Sequence, residues 1–132
     1  MGTFQEPSMS QAHEHPHNRR QIGAQGETLA RQWLEAKGYG WVAQNIHTRW
    51  SELDLVMHDG KTLVFIEVKY RRSERYGSPL EGITPAKQRK LRQAAQLYLL
   101  KHPHPGPVRF DALGILHLAG SAPVYTHIQN AL

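Results

Sequence analysis

The residues best suited to chemistry concentrate in one stretch of this chain. Glu52-Leu53-Asp54-Leu55-Val56-Met57 and Leu63-Val64-Phe65-Ile66-Glu67-Val68-Lys69 are β-compatible runs separated by His58-Asp59-Gly60-Lys61, whose Asp-Gly centre signals a hairpin. With Asp59-Gly60 as a two-residue turn, Glu52 stands opposite Glu67, Asp54 opposite Phe65 and Val56 opposite Leu63. Alternation then sends Glu52, Asp54, Glu67 and Lys69 to one face. Leu53, Leu55, Met57, Val64, Ile66 and Val68 form the other, a uniformly apolar face directed at the core. Asp54 and Glu67 become diagonal neighbours with Cβ atoms no more than about 7–8 Å apart, near enough for both carboxylates to reach one cation.

Clustered carboxylates raise one another's pKa values unless a cation or a lysine offsets them, and Lys69 lies on the same face as Glu67. The chemistry such a set supports is a hard-cation site. Asp54 and Glu67 hold Mg²⁺ or Mn²⁺, phosphate oxygens and waters complete the shell, and Lys69 orients or helps deprotonate an attacking water. The same pattern also fits a solvent-facing antiparallel pair, in which Glu67 and Lys69 form a surface ion pair of little worth. Glu52 is the member best explained as plain surface charge or as an accessory.

The elements that must position these side chains follow from periodicity. Asn18 and Gln21 resemble a capping box, and Ile22, Leu29, Ala30, Trp33 and Leu34 recur at helical spacing, which predicts a helix to about Lys37 that stops at Gly38 or Gly40. Trp41–His47 reads as a strand. After a charged, Gly- and Pro-containing loop, Thr84-Pro85 supplies an N-cap and a proline at the first helical position. The helix begun there has an apolar face of Leu91, Ala94, Ala95, Tyr98 and Leu99, with Lys87, Arg89, Lys90 and Arg92 early in it. His102–Pro107 breaks it, and Val108–Leu116 and Val124–Gln129 read as strands. The order α-β-β-β-α-β-β predicts an α/β or α+β domain, a central mixed sheet flanked by helices. Trp33, Trp41, Phe65 and Phe110 are expected in the core.

Composition sets the surroundings. The chain has 132 residues and no cysteine, which excludes disulfides and thiolate zinc sites and suits a single domain. Residues 1–18 contain Glu6 and Glu14 but no Lys or Arg, and read as a disordered leader ahead of a domain over 19–132. His13, His15 and His17 alternate within the leader, where a flexible polar tail is a plainer reading than metal chelation. The rest carries 16 basic against 9 acidic residues, a charge of +7 that favours a polyanionic partner such as nucleic acid. No apolar run approaches the roughly 20 residues of a membrane span and no signal peptide is visible, so a cytoplasmic location is expected.

Beyond this reading, Asp54, Glu67, Val68 and Lys69 form D-x12-E-x-K. The arrangement resembles the PD-(D/E)xK nuclease superfamily, the restriction-endonuclease-like fold, and more closely the small bacterial YraN-like family. Gly23-Ala24-Gln25-Gly26-Glu27 with Ala30 resembles that family's opening helix, and Gly38-Tyr39 with Asn45 its first strand. Ser51–Val56 resembles its GEIDLI segment and Val64–Arg71 its VFVEVKxR segment. Tyr76–Pro79, Thr84, Lys87-Gln88, Arg109-Phe110-Asp111 and Asn130-Ala131 continue the match. Ser51 replaces the usual glycine and Leu132 a common terminal phenylalanine, and neither is a proposed ligand.

The resemblance implies a Mg²⁺- or Mn²⁺-dependent endonuclease acting on nucleic acid, DNA first. Asp54 and Glu67 become metal ligands, Lys69 the catalytic lysine and Glu27 an accessory acid, as in related Holliday-junction resolvases that use a helix glutamate. Arg71, Arg72, Lys87, Gln88 and Lys90 are candidates for phosphate contact, and Glu52 for an accessory role. A homodimer is allowed, since junction-cutting relatives are commonly dimeric. Gly23 and Gly26 flank Glu27 at a cost to the helix of about 1 kcal/mol each, which invites a close-approach explanation. The competing expectation is a nucleic-acid-binding module with this fold and no turnover.

Overall fold

The computed structural model describes residues 16–74 and 82–132, with side chains of the first helix from Gly23 onward. Residues 1–15, with His13 and His15, and residues 75–81, with Tyr76–Pro79, lie outside the described residues. The elements are α1 (Pro16–Ala36), β1 (Gly40–His47), β2 (Glu52–Asp59), β3 (Thr62–Arg71), α2 (Pro85–Lys101), β4 (Val108–Leu116) and β5 (Val124–Ile128). Helix α1 begins at Pro16, so Asn18 lies within its first turn and not at its cap.

Local chemistry accounts for the helix boundaries. At the end of α1, Tyr39 N–H donates to Leu34 O and Gly38 N–H to Glu35 O, both at 3.0 Å, with Gly38 at φ +100°. This is a Schellman stop, and Leu34 and Tyr39 complete it by packing in the same core. Thr84 caps α2 as expected: its Oγ1 accepts the Lys87 N–H at 3.2 Å, and Pro85 follows.

The five strands form one mixed sheet in the order β1-β2-β3-β4-β5. Pairing is antiparallel except between β3 and β4, which run parallel from Leu63↔Val108 to Arg71↔Leu116 with α2 as their crossover. This is the architecture of the restriction-endonuclease-like fold, as the sequence predicts.

The hairpin register differs by one residue per strand. Asp59 pairs with Thr62, so Gly60-Lys61 is the turn, and Val56 pairs with Phe65 and not Leu63. Gly60 stands first in the turn at a φ of +60°, a conformation that glycine adopts without steric cost. Because the pair sum moves by two, the parity of the pairing is kept, and Leu55, Met57, Val64 and Ile66 stay together on one face. Asp54 thereby moves from a diagonal to the position opposite Glu67, just past the last ladder pair, Leu55↔Ile66.

Both faces of the sheet are covered. On one, Ala30 and Leu34 of α1 pack with Leu55, Met57, Val64, Ile66, Leu113 and Ile115. On the other, Leu91, Ala94, Ala95 and Tyr98 of α2 cover Val56, Leu63 and Phe65. The face carrying the carboxylates is therefore not a solvent face but the border of a second core. Leu53 joins that second core and departs from Leu55 and Met57, so strict alternation fails next to Asp54. Phe65 is buried and Trp33 and Phe110 pack at the core margins, but Trp41 is 40% exposed beneath the Arg31 guanidinium.

A buried ionic network braces β4 and β5. Asp111, fully buried, accepts from Arg109 Nε at 2.8 Å, Arg109 Nη2 at 3.0 Å, His127 Nε2 at 2.9 Å and Asn130 N–H at 3.1 Å. Arg109 also reaches Asp59 and the Tyr39 hydroxyl, tying the hairpin end to the start of β1.

Candidate active site

Glu67 and Asp111 are the buried acidic residues among those described, and only Glu67 meets lysines. It sits on central strand β3 at 5% exposure, with Lys69 Nζ 3.4 Å and Lys87 Nζ 3.3 Å from Oε2. That burial removes the surface ion-pair reading for Glu67 and Lys69. Lys87, expected among the phosphate contacts of α2, instead reaches back from the first turn of that helix to the carboxylate. The crossover causes this, since α2 starts over the sheet end where β3 stops.

Asp54, half-buried on β2, accepts the backbone N–H of Val68 at 2.9 Å through Oδ2. Its carboxyl is pushed up to about 8, chiefly by burial and then by the Glu67 charge beside it, with Glu27 adding and the Val68 hydrogen bond opposing. Glu27 is also raised, mainly by burial and further by Glu52 and Glu67, against a hydrogen bond from the Asn45 side chain. Three acidic groups from α1, β2 and β3 thus share one electrostatic neighbourhood.

Two backbone features admit Glu27 and Asn45. A Cβ on Gly26 would lie 2.6 Å from Tyr70 Cβ, so only glycine lets α1 approach β3 this closely. Gly23 has nothing within 4 Å, and the close-approach explanation applies to Gly26 alone. Asn45 has φ +55° and stands between the pairs Gln44↔Leu55 and Ile46↔Leu53, opposite Asp54. Asparagine tolerates this left-handed conformation better than most residues.

A cleft of about 300 Å³ opens over Glu27 and Asp54, lined by Gly23, Glu27, Asp54, Val68, Lys69, Tyr70 and Arg71, while the buried Glu67 is not part of this lining. Beneath it the Tyr70 hydroxyl meets His117 Nδ1 at 2.8 Å. Among the described residues, the buried Nε atoms of Arg71 and Arg72 have no hydrogen-bond partner. Glu52 remains outside the buried cluster, exposed and paired with His47 Nε2 at 3.1 Å. Lys90 is exposed on α2 and Gln88 is half-buried, its N–H taken by the cap at Thr84 O.

The donor set fits a hard divalent cation. Two facing carboxylates, one of them driven far above its ordinary range by the other, are what such an ion would relieve. Among the described residues no three acidic or imidazole side chains converge as a ready-made metal cage. A cation here would take Asp54 and Glu67 and fill its shell with waters, backbone oxygen or phosphate, the habit of Mg²⁺.

Sequence reasoning assigns Lys87 to phosphate contact and not to Glu67, and gives Asn45 no role. Asn45 was visible within the family resemblance, and a positive φ at an asparagine is its only local signal.

Fold and site together define a mixed α/β domain built around an acidic pair and a lysine. The model of "Uncharacterised protein family UPF0102" matches residues 26–115, and the chain belongs to that family, the YraN-like family that its motifs resemble. It is 49% identical over 117 residues to a UPF0102 protein of Bifidobacterium longum, covering 85% of this chain and 93% of that one. A UPF0102 protein of Syntrophomonas wolfei is 47% identical over 113 residues, covering 85% and 97%. One of Alcanivorax borkumensis is 40% identical over 116 residues, covering 86% and 93%. No helix among the described residues is long and apolar enough to cross a membrane.

Proposed function

We propose that this UPF0102 protein is a metal-dependent nuclease that hydrolyses phosphodiester bonds of nucleic acid, DNA first, with a site of the PD-(D/E)xK kind. The observation that carries the reading is the burial of Glu67 opposite Asp54 with two lysines on its carboxylate. A protein gains nothing in stability from such a cluster, since desolvated like charges are costly.

Asp54 and Glu67 would hold Mg²⁺ or Mn²⁺. When bound, the ion supplies Lewis-acid stabilisation of phosphodiester oxygens and lowers the pKa of a water. Lys69, ion-paired to Glu67 and facing the cleft, is placed to orient the attacking water and offset charge developing on the phosphate. Lys87 holds Glu67 in place and adds positive potential. Glu27, with its raised pKa, is available to accept or release a proton at the cleft wall. Arg71, which lines the cleft, and its neighbour Arg72 carry guanidinium groups suited to phosphate oxygens. The +7 body steers a polyanion inward.

The test is cleavage of a panel of single-stranded, duplex and branched DNA by the wild type, Asp54→Asn and Lys69→Ala in Mg²⁺ and in Mn²⁺. Cleavage lost in both variants supports the reading. Cleavage surviving both overturns it, and salt-sensitive binding without cleavage by the wild type points to a non-catalytic binding module.

A further inference from the structure

The loop between β1 and β2 carries Trp50, a large aromatic left 39% exposed. The loop is not loose. Thr48 Oγ1 accepts the N–H groups of Trp50 and Ser51, both at 3.1 Å, and donates to Ser51 O at 2.7 Å, while the Thr48 N–H also reaches Ser51 O at 3.2 Å. Such a side-chain-locked turn holds Trp50 at a defined place without any packing of its ring in the core. The Arg49 guanidinium carbon lies 5.3 Å from the indole centroid, a cation over the ring.

Position gives this pair its meaning. The turn sits where β2 begins, and antiparallel pairing puts the end of β3, with Lys69, Arg71 and Arg72, at the same end of the sheet. Trp50 precedes Asp54 by four residues, a span of at most about 14 Å along the chain. A flat apolar ring under a guanidinium, at the same sheet end as the cleft that Lys69 and Arg71 line, matches a ligand that alternates planar faces with anionic links. A nucleic-acid strand has that chemistry. In a continuous duplex the base faces are hidden in the stack, so only an unpaired nucleotide, in a single strand or at a branch or end, can offer its face to the indole.

We infer that Trp50 is a base-stacking residue that positions an unpaired nucleotide beside the acidic site and gives the protein a preference for strands with unpaired bases. This rests on the nuclease reading for the location of the scissile phosphate, but stacking itself is read without turnover.

The experiment follows indole fluorescence of the full chain as a 15-nucleotide oligothymidylate, or a blunt duplex of mixed sequence, is added in Ca²⁺ buffer. Wild type, Trp50→Phe and Trp50→Ala are compared, with circular dichroism verifying the fold of each. The oligothymidylate is expected to quench wild-type fluorescence, and Trp50→Phe to lose most of that quench. In Trp50→Ala the preference for oligothymidylate over duplex, read from anisotropy of labelled DNA, falls roughly tenfold. Equal quenching in Trp50→Phe, or an unchanged preference in Trp50→Ala, overturns the inference. A wild type that cleaves DNA while the variants match it in binding removes the stacking role and leaves the nuclease reading intact. A Trp50-dependent quench in a protein that cleaves nothing does the reverse.

Discussion

The backbone N–H of Val68 donates to Asp54 Oδ2 at 2.9 Å, so the carboxylate on β2 is fastened to the link between Glu67 and Lys69 on β3. This bond replaces a ladder bond just beyond Leu55↔Ile66 and draws all three side chains of the acidic pair and its lysine into one unit. It also shields only one oxygen of Asp54, whose carboxyl still rises to about 8 through burial and the Glu67 charge.

That rise sets a pH dependence for the metal-free protein. Asp54 has a folded-state pKa of about 8 against an ordinary 3.8, so the folded state binds the proton more tightly. The stability this contributes is fully present below about 4 and is lost as the pH rises through 8. Asp54→Asn removes the dependence and is expected to stabilise the metal-free protein at pH 8 by about 1–3 kcal/mol, less than the full linkage value because the cleft admits water. Urea denaturation of both proteins at pH 5 and pH 8 checks it: the gap should widen with pH.

The two lysines on Glu67 are not equivalent. Lys69 is mostly buried at the cleft, whereas Lys87 comes from α2 and is 37% exposed. Lys69→Ala should lower the cleavage rate by roughly 10²–10⁴-fold, the range for a lost proton-handling group. Lys87→Ala should lower it by roughly tenfold, through a less restrained Glu67. Single-turnover rates under saturating DNA separate the two.

Gly23 and Gly26 should respond in opposite directions to alanine. At Gly26 the added Cβ collides with Tyr70 Cβ, which neither element can avoid without moving α1, and a loss of about 1–3 kcal/mol is expected. At Gly23 the methyl meets nothing, and higher helix propensity should yield a gain of up to about 1 kcal/mol. Thermal melts of the two variants decide the point.

Asp111 should matter to folding and not to chemistry. Asp111→Ala leaves Arg109 and His127 without their shared carboxylate in a buried setting, which is expected to cost about 3–5 kcal/mol. Denaturant midpoints test this directly.

Much of this arrangement is written locally. Thr84-Pro85 announces α2, and the alternation of Leu55, Met57, Val64 and Ile66 fixes which side of the hairpin meets α1. The acidic pair survives a misplaced turn because a shift of one residue on each strand preserves parity. What stays illegible is non-local. Nothing around Lys87 tells that a parallel crossover will bring it to Glu67, and the coverage of both sheet faces depends on where α2 returns. Asn45 shows the same limit, because its place opposite Asp54 depends on a β1–β2 register that shifts between Trp41 and Ala43.

The central claim is that Asp54 and Glu67 together hold a divalent cation for phosphodiester hydrolysis. Calorimetric titration of Mg²⁺, then Mn²⁺, into wild type and Asp54→Asn tests it most directly, with DNA present and repeated with Ca²⁺, and with residues 1–15 removed from both proteins so that His13 and His15 cannot contribute. The account predicts a binding isotherm in the wild type that disappears in Asp54→Asn. Identical isotherms in the two proteins, with and without DNA, would contradict it.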